Sequence, residues 1–329
     1  MVFVRDSGNP LLTRSTIPRL EGWLSDPTSV FNPGATVWEG KVALMLRVQA
    51  RSRETHLVMA DSRDGLEGLR FRVRAERVRF DGIQAVRERV FHVYDPRLTR
   101  IGREVFCMLA LDVDRACRLG VARSHNLRDF EFLGLTSGED VRNGVLFPER
   151  VGGRYLRLER PNRAEPGGHW QARDSMVLAA SEDLVGWERI GVVARGRPHY
   201  WDELIGSGPP PVRTQHGWLH FYHGIATHFA TSNIYQMGAL LLDYKDPTKV
   251  VARSRHNLLE PREPYELCGQ VPNVVFPTGL VADTLDDEGT VPDQARLRIY
   301  YGAADTCVAS ASATVAGVLA ALDDPGALG

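Results

Sequence analysis

No apolar run in the 329 residues approaches the roughly 18 that a membrane-spanning helix needs. The N-terminus, Met1-Val2-Phe3-Val4-Arg5-Asp6, reaches a charge after four residues and has no apolar core of an export signal. The expectation is a soluble, cytoplasmic protein with no membrane partner. Cysteine is scarce: Cys107, Cys117, Cys268 and Cys307 lack the close pairing of zinc motifs and the density of a disulfide scaffold. They read as reduced thiols, mostly filling core, and no metal site is expected. Charge of one sign is not in excess, because 40 basic residues stand against 41 acidic ones. That balance gives no electrostatic case for nucleic acid, and any anion must be bound locally. Long stretches with a helical period are missing, and so are the phosphate loop, the dinucleotide fingerprint, the zinc-protease helix and the nucleophile elbow.

What is present is short, β-branched or aromatic, and bounded by turn residues. Val42 to Val48, Glu104 to Leu111, Arg154 to Leu158, Trp218 to Tyr222, Met237 to Leu242 and Leu297 to Tyr301 read as strands. Asp81-Gly82, Gly152-Gly153 and Gly167-Gly168 read as turns. With 43% hydrophobic residues and no linker or low-complexity stretch, the expectation is one predominantly β domain over residues 1–329.

A weak repeat runs through it. Ala60-Asp61-Ser62, Ala122-Arg123-Ser124 and Ala180-Ser181-Glu182 recur about 60 residues apart, with a degenerate copy at Leu242-Asp243-Tyr244. Four-stranded propeller blades of about 40 to 50 residues plus loops fit that period, and five would use the chain. A sandwich or barrel with coincidentally similar turns is the alternative.

Polar residues embedded in apolar strand ends are the candidates for chemistry, since a propeller gathers such residues from several blades around one channel. Asp95, after Phe91-His92-Val93-Tyr94, is placed to be a partly desolvated general acid, or else an ordinary aspartate that caps a turn before proline or pairs with Arg97. Arg142 and Asn143, with Arg160 further on, offer guanidinium forks for a phosphate or carboxylate, or merely surface ion pairs. His223 ends the aromatic run Phe221-Tyr222, and Asp305 follows Tyr300-Tyr301-Gly302. Either could hold a ligand or serve the fold alone.

Taken in order, the blocks Phe31-Asn32-Pro33-Gly34-Ala35, Tyr94-Asp95-Pro96-Arg97, Asn143-Gly144-Val145-Leu146-Phe147-Pro148, Ile205-Gly206-Ser207-Gly208-Pro209-Pro210-Pro211, Tyr222-His223-Gly224, Val271-Pro272-Asn273 and Tyr301-Gly302-Ala303-Ala304-Asp305 resemble glycoside hydrolase family 130, across nearly the whole chain. These are mannoside phosphorylases and related mannosidases on a five-bladed β-propeller. The resemblance implies inverting phosphorolysis of a β-mannoside or mannosyl-oligosaccharide to α-mannose 1-phosphate. Asp95 would be the proton donor, acting through a sugar hydroxyl, with inorganic phosphate as co-substrate and no cofactor. It further implies a phosphate site at Arg142, Asn143, Arg160 and His223. Mannose would lie against Asn32, Arg47, Tyr94 and Asp305, with His169, Tyr235 and Phe276 on the acceptor side.

Two positions depart from the family pattern. Leu204 stands where its phosphorylases usually carry lysine, and Gln270 where aspartate commonly precedes Val-Pro-Asn. Asp202 and Glu203, just upstream, raise the alternative of an inverting β-mannosidase in which one of them activates water. A non-catalytic sugar-binding propeller is the third reading. Self-association into a homo-oligomer is compatible with the sequence, which leaves the oligomeric state, the acceptor sugar and the linkage open.

Overall fold

The computed structural model describes residues 2–20, 22–114, 116–136, 140–162, 174–228, 230 and 232–323. Its strands form five largely antiparallel sheets that follow one another along the chain, the arrangement of a five-bladed β-propeller.

In blade 1, two inner segments, Pro27–Val30 and Gly34–Trp38, both pair with Lys41–Ala50, followed outward by Thr55–Ser62 and Phe71–Arg77. Blade 2 runs Val90–Ile101, Glu104–Val113, Ala116–Ser124 and Phe130–Leu135. Blade 3 runs Val141–Leu146, Tyr155–Pro161, Ser175–Ser181 and Glu188–Arg195. Blade 4 again has a divided inner strand, Leu204–Ser207 and Val212–Thr214, then Gly217–Ala226, Ile234–Leu242 and Val250–Ser254. Blade 5 runs Val275–Ala282, Arg296–Ala303 and Cys307–Thr314, and its outer strand is Val4–Arg5 from the start of the chain. That borrowed strand ties the first blade to the last.

The second strand of each blade explains the apolar runs. Its side chains alternate between two faces, and here both faces are buried because a blade has a neighbour on each side. Val42, Leu44 and Leu46 pack with Tyr300 and Val308 of blade 5, while Ala43 and Met45 pack with Leu98, Val105 and Cys107 of blade 2. Phe106 and Met108 turn instead toward Val141 and Leu146 of blade 3. Trp218 and Tyr222 meet Val145 and Leu158 of blade 3, and Leu219 and Phe221 meet Val275 and Ile299 of blade 5. The core is therefore five apolar layers between blades.

The repeat is the turn after the third strand. Ser124 and Ser181 end third strands, and each hydroxyl accepts a hydrogen bond from the backbone N–H three residues on, at 2.9 Å. Ser62 ends the third strand of blade 1 and donates to the Gly65 carbonyl. The degenerate copy holds, with the Asp243 carboxylate accepting from Lys245 and Asp246 N–H groups. Thr314 completes the set in blade 5, accepting from Gly317 N–H at 3.1 Å. A short side-chain acceptor at that point satisfies the N–H groups that the reversing chain leaves open.

Candidate active site

Each inner strand carries extra residues at one level. Tyr94 pairs with Ala110 and Arg97 with Met108, so Asp95 and Pro96 together oppose one residue. Arg142 pairs with Arg160 and Val145 with Leu158, leaving Asn143 and Gly144 opposite Glu159. The register also slips between Pro277 and Gly279 in blade 5, and the inner strands of blades 1 and 4 are broken outright at Phe31 to Pro33 and Gly208 to Pro211. Such bulges bend a strand and re-aim its side chains. Asp95 and Asn143 sit at theirs with φ of 51° and 55°, and Asp305 has φ 50° in the turn that follows Arg296–Ala303. Left-handed backbone at non-glycine residues is unfavourable and collects at functional sites.

These bulges surround a cavity of about 460 Å³. Of the residues singled out in the sequence, Asn32, Arg47, Tyr94, Asp95, Arg142, Asn143, Arg160, His223, Tyr235, Phe276 and Asp305 all line it. His169 lies outside the described residues.

Asp95 is buried, and its carboxylate accepts from Arg47 Nη1 at 3.1 Å. The pair with Arg97 does not form: Arg97 Nη1 donates to the Asp95 backbone carbonyl instead. Arg47 is itself clamped between two rings, 4.3 Å from the Phe31 centroid and 4.8 Å from that of Tyr94. Asp305 faces the same two groups. Burial pushes its carboxyl up to about 6; Arg47 opposes that rise and Asp95 adds to it. Asn32 is buried beside them, and its Nδ2 has no hydrogen-bond partner among the described residues. Gly302 allows this approach, since a Cβ there would lie 2.7 Å from the Asn32 backbone nitrogen.

Arg142 and Arg160 face each other across the strand pair of blade 3. Arg142 lies 3.9 Å from Asp112, whose carboxylate also accepts from the Tyr94 hydroxyl at 2.7 Å. His223, from the second strand of blade 4, is fully buried, and neither ring nitrogen has a partner among the described residues. Burial, then the charges of Arg160 and Arg97 and the neighbouring His220, hold its pKa well below the usual histidine value, so the ring is neutral. Gly206 makes room for it: a Cβ there would lie 2.5 Å from the His223 ring and 2.7 Å from Asn143 Oδ1. Buried polar atoms without protein partners, set beside two arginines, suit a ligand rich in acceptor oxygens. Phe276 and Tyr235 complete this wall, their rings 4.5 and 6.0 Å from that of His223.

The two candidate bases do not line the cavity. Asp202 is fully buried, held by both arms of Arg197 at 2.8 Å, by Arg253 at 2.7 Å and by the Tyr222 hydroxyl at 2.7 Å. Its charge is spent on the fold. Glu203 accepts from the Thr227 hydroxyl. Leu204 sits on the edge strand two residues before Gly206, only partly buried.

Gln270 is built into an uncharged network, its amide donating to Ser29 Oγ at 2.7 Å and to Gln49 Oε1 at 2.8 Å. Gln49 lines the cavity, as do Arg53, Thr55 and Asp112, none of them singled out in the sequence, and His92, Val271 and Val274, which lie within or beside sequence blocks that were. Asp112 had a readable signal, since it directly follows an apolar strand as Asp95 does. Gln49, Arg53 and Thr55 had none, because they belong to a hairpin end that only the ring closure brings to the cavity.

A family model for glycoside hydrolase family 130, described as β-1,4-mannooligosaccharide phosphorylase, matches residues 5–324. The chain is 31% identical over 320 residues to a β-1,4-mannooligosaccharide phosphorylase of Ruminococcus albus, covering 95% of this chain and 89% of that protein. It is 29% identical to a 4-O-β-D-mannosyl-D-glucose phosphorylase of Bacteroides fragilis, over 94% of this chain and 84% of the other. Among solved structures, β-1,2-mannobiose phosphorylase from Listeria innocua superposes with a TM-score of 0.82 at 24% identity, covering 97% and 99% of the two chains, a likeness of fold.

Proposed function

This chain belongs to glycoside hydrolase family 130, and from that membership we propose that it is an inverting phosphorylase of β-mannosides or mannosyl-oligosaccharides. The observation that carries this reading is the cavity's division into two faces. One presents Asp95 with Arg47 and Asp305, and the other presents Arg142, Arg160, Asn143 and a neutral His223.

In this reading the mannosyl unit lies between the faces, with its anomeric carbon toward the arginines. A phosphate oxygen attacks that carbon from the side opposite the leaving sugar, the glycosidic C–O bond breaks, and Asp95 supplies the departing oxygen with a proton through a mannose hydroxyl. The products are α-mannose 1-phosphate and the shortened sugar. The hydrogenphosphate proton, which the ester product gives up near neutral pH, restores Asp95. Phosphate needs no base to make it a nucleophile, so a single carboxyl acid and a set of cations suffice. Arg47 stabilises the Asp95 carboxylate as it forms, and the neutral imidazole of His223 can donate to phosphate without carrying a charge of its own. A hydrolase would instead need a carboxylate positioned to activate water, and Asp202 is already saturated by two arginines and a tyrosine.

The test is incubation with β-1,4-mannobiose, β-1,4-mannotriose and β-1,2-mannobiose, with and without phosphate. Turnover that requires phosphate and yields one mannose 1-phosphate per bond cleaved is expected. Mannose released at the same rate in phosphate-free buffer would establish the hydrolase instead.

A further inference from the structure

Arg97 lies beneath the cavity floor, 1% exposed, and the steps above give it no part. Its Nε donates to the Gly208 carbonyl at 2.9 Å, Nη2 to Ser207 O at 3.1 Å and Nη1 to Asp95 O at 3.2 Å. The acceptors are uncharged carbonyls from two blades that are not neighbours in the ring. No carboxylate among the described residues forms an ion pair with Arg97, because Asp95 turns its carboxylate to Arg47. Burying a guanidinium without a carboxylate in contact is costly, since carbonyl dipoles replace its hydration only in part and the Asp95 charge offsets the cost only from a distance. A brace between blades 2 and 4 could be made by uncharged donors, so the brace explains the hydrogen bonds and leaves the charge unexplained.

The anion-binding face is close by. Ser207 adjoins Gly206, which pairs with His223 in the register of blade 4. The Arg97 charge reaches that ring, where it is one of the groups opposing protonation, after burial and Arg160.

We propose that Arg97 is a positioning residue of the phosphate site: without touching the anion, its fixed charge under the dry floor strengthens the attraction for a phosphate dianion, while its donors hold the Asp95 bulge. This rests on reading the Arg142, Arg160 and His223 wall as a phosphate site. A charge fixed in place and shielded from solvent is weakly screened by salt and needs no reorganisation when the anion arrives.

The experiment compares the wild-type chain with Arg97→Met and Arg97→Lys, measuring calorimetric affinity for inorganic phosphate and the KM values for phosphate and mannoside. The expected result is a loss of about tenfold in phosphate affinity in Arg97→Met, with the mannoside KM moving by less than about twofold. Arg97→Lys keeps the charge and loses the fork, so its phosphate affinity stays within about threefold of wild type. Equal losses in the two variants, or equal losses for phosphate and mannoside, would show a brace and overturn the proposal. Should Arg97→Met not fold, Arg97→Lys decides alone, and a loss of about tenfold or more in the folded protein overturns it. Phosphate affinity that falls as expected in Arg97→Met, while the wild-type protein binds phosphate but catalyses no phosphorolysis, would refute the proposed function and keep this inference. Phosphorolysis with unchanged phosphate binding in Arg97→Met would do the reverse.

Discussion

Arg47 Nη1 lies 3.1 Å from the carboxylate of Asp95, 48 residues away in sequence and on a different blade, whereas Arg97, two residues from Asp95, bonds only its backbone carbonyl. The proposed acid is thus aimed by the backbone bulge and paired with a residue of a distant strand. Replacing it should remove the proton donor and leave the fold. Asp95→Asn is expected to lower kcat by about 10²- to 10⁴-fold with little change in thermal midpoint. Mannosides with good leaving groups should lose less, since they need less protonation, and steady-state kinetics on paired alkyl and aryl mannosides checks both.

Asp305 contributes to stability with a definite sign. Its folded carboxyl titrates near 6, above its ordinary 3.8, so the folded state binds the proton more tightly than the unfolded chain. Stability from this group is present in full below the ordinary value and is lost as pH rises through about 6. Asp305→Asn removes the buried charge. The variant should gain on wild type between pH 4 and pH 7 by about 1–2 kcal/mol while losing activity, as denaturant unfolding at the two pH values would show. An unchanged difference would contradict the assignment.

Asp202 separates a structural carboxylate from a catalytic one. With Arg197, Arg253 and Tyr222 all directed at it, Asp202→Asn leaves two guanidinium groups poorly compensated, and a destabilisation of about 3–5 kcal/mol is expected. Protein that remains folded should keep its turnover number. A normal melting temperature with turnover abolished would restore Asp202 as a base.

Gly206 tests the packing behind the anion wall. A methyl group there would press on the His223 ring and on Asn143 Oδ1. Gly206→Ala should cost about 1–3 kcal/mol of stability and raise the KM for phosphate more than that for mannoside. Equal effects on both KM values would argue that the two side chains serve the fold alone.

The blade architecture was legible for physical reasons that did not extend to the site. Second strands such as Trp218 to Tyr222 are buried on both faces and stand out as largely apolar runs, and Ser62, Ser124 and Ser181 mark the turn that recurs from blade to blade. Inner strands are harder to see, because Tyr94-Asp95-Pro96-Arg97 and Arg142-Asn143-Gly144 interrupt the alternation with bulges that exist to turn polar groups inward. Local pattern leaves Asp95 open between a general acid and a turn aspartate, and it is the departure from the family pattern at Leu204 that draws attention to Asp202. Arg47, which fixes where the Asp95 carboxylate points, is 48 residues away, and Asp202 is closed off by Arg253, 51 residues away, as well as by Arg197 five residues upstream, so short-range pattern encodes these pairings only in part. The likeness of ordered blocks to a known family supplied what local spacing lacked, and Gln49 and Arg53 stayed invisible because their hairpin end carries no distinguishing residue type.

The central claim is that protonation from the Asp95 face and attack from the arginine face occur on opposite sides of one sugar. Proton and phosphorus NMR of the first-formed product, recorded as the enzyme turns over a β-mannobiose in phosphate, reads this directly. The account predicts α-mannose 1-phosphate from the first spectrum onward, in amounts equal to the mannose released from the other half. The β-phosphate, or mannose with no phosphate ester, would contradict it.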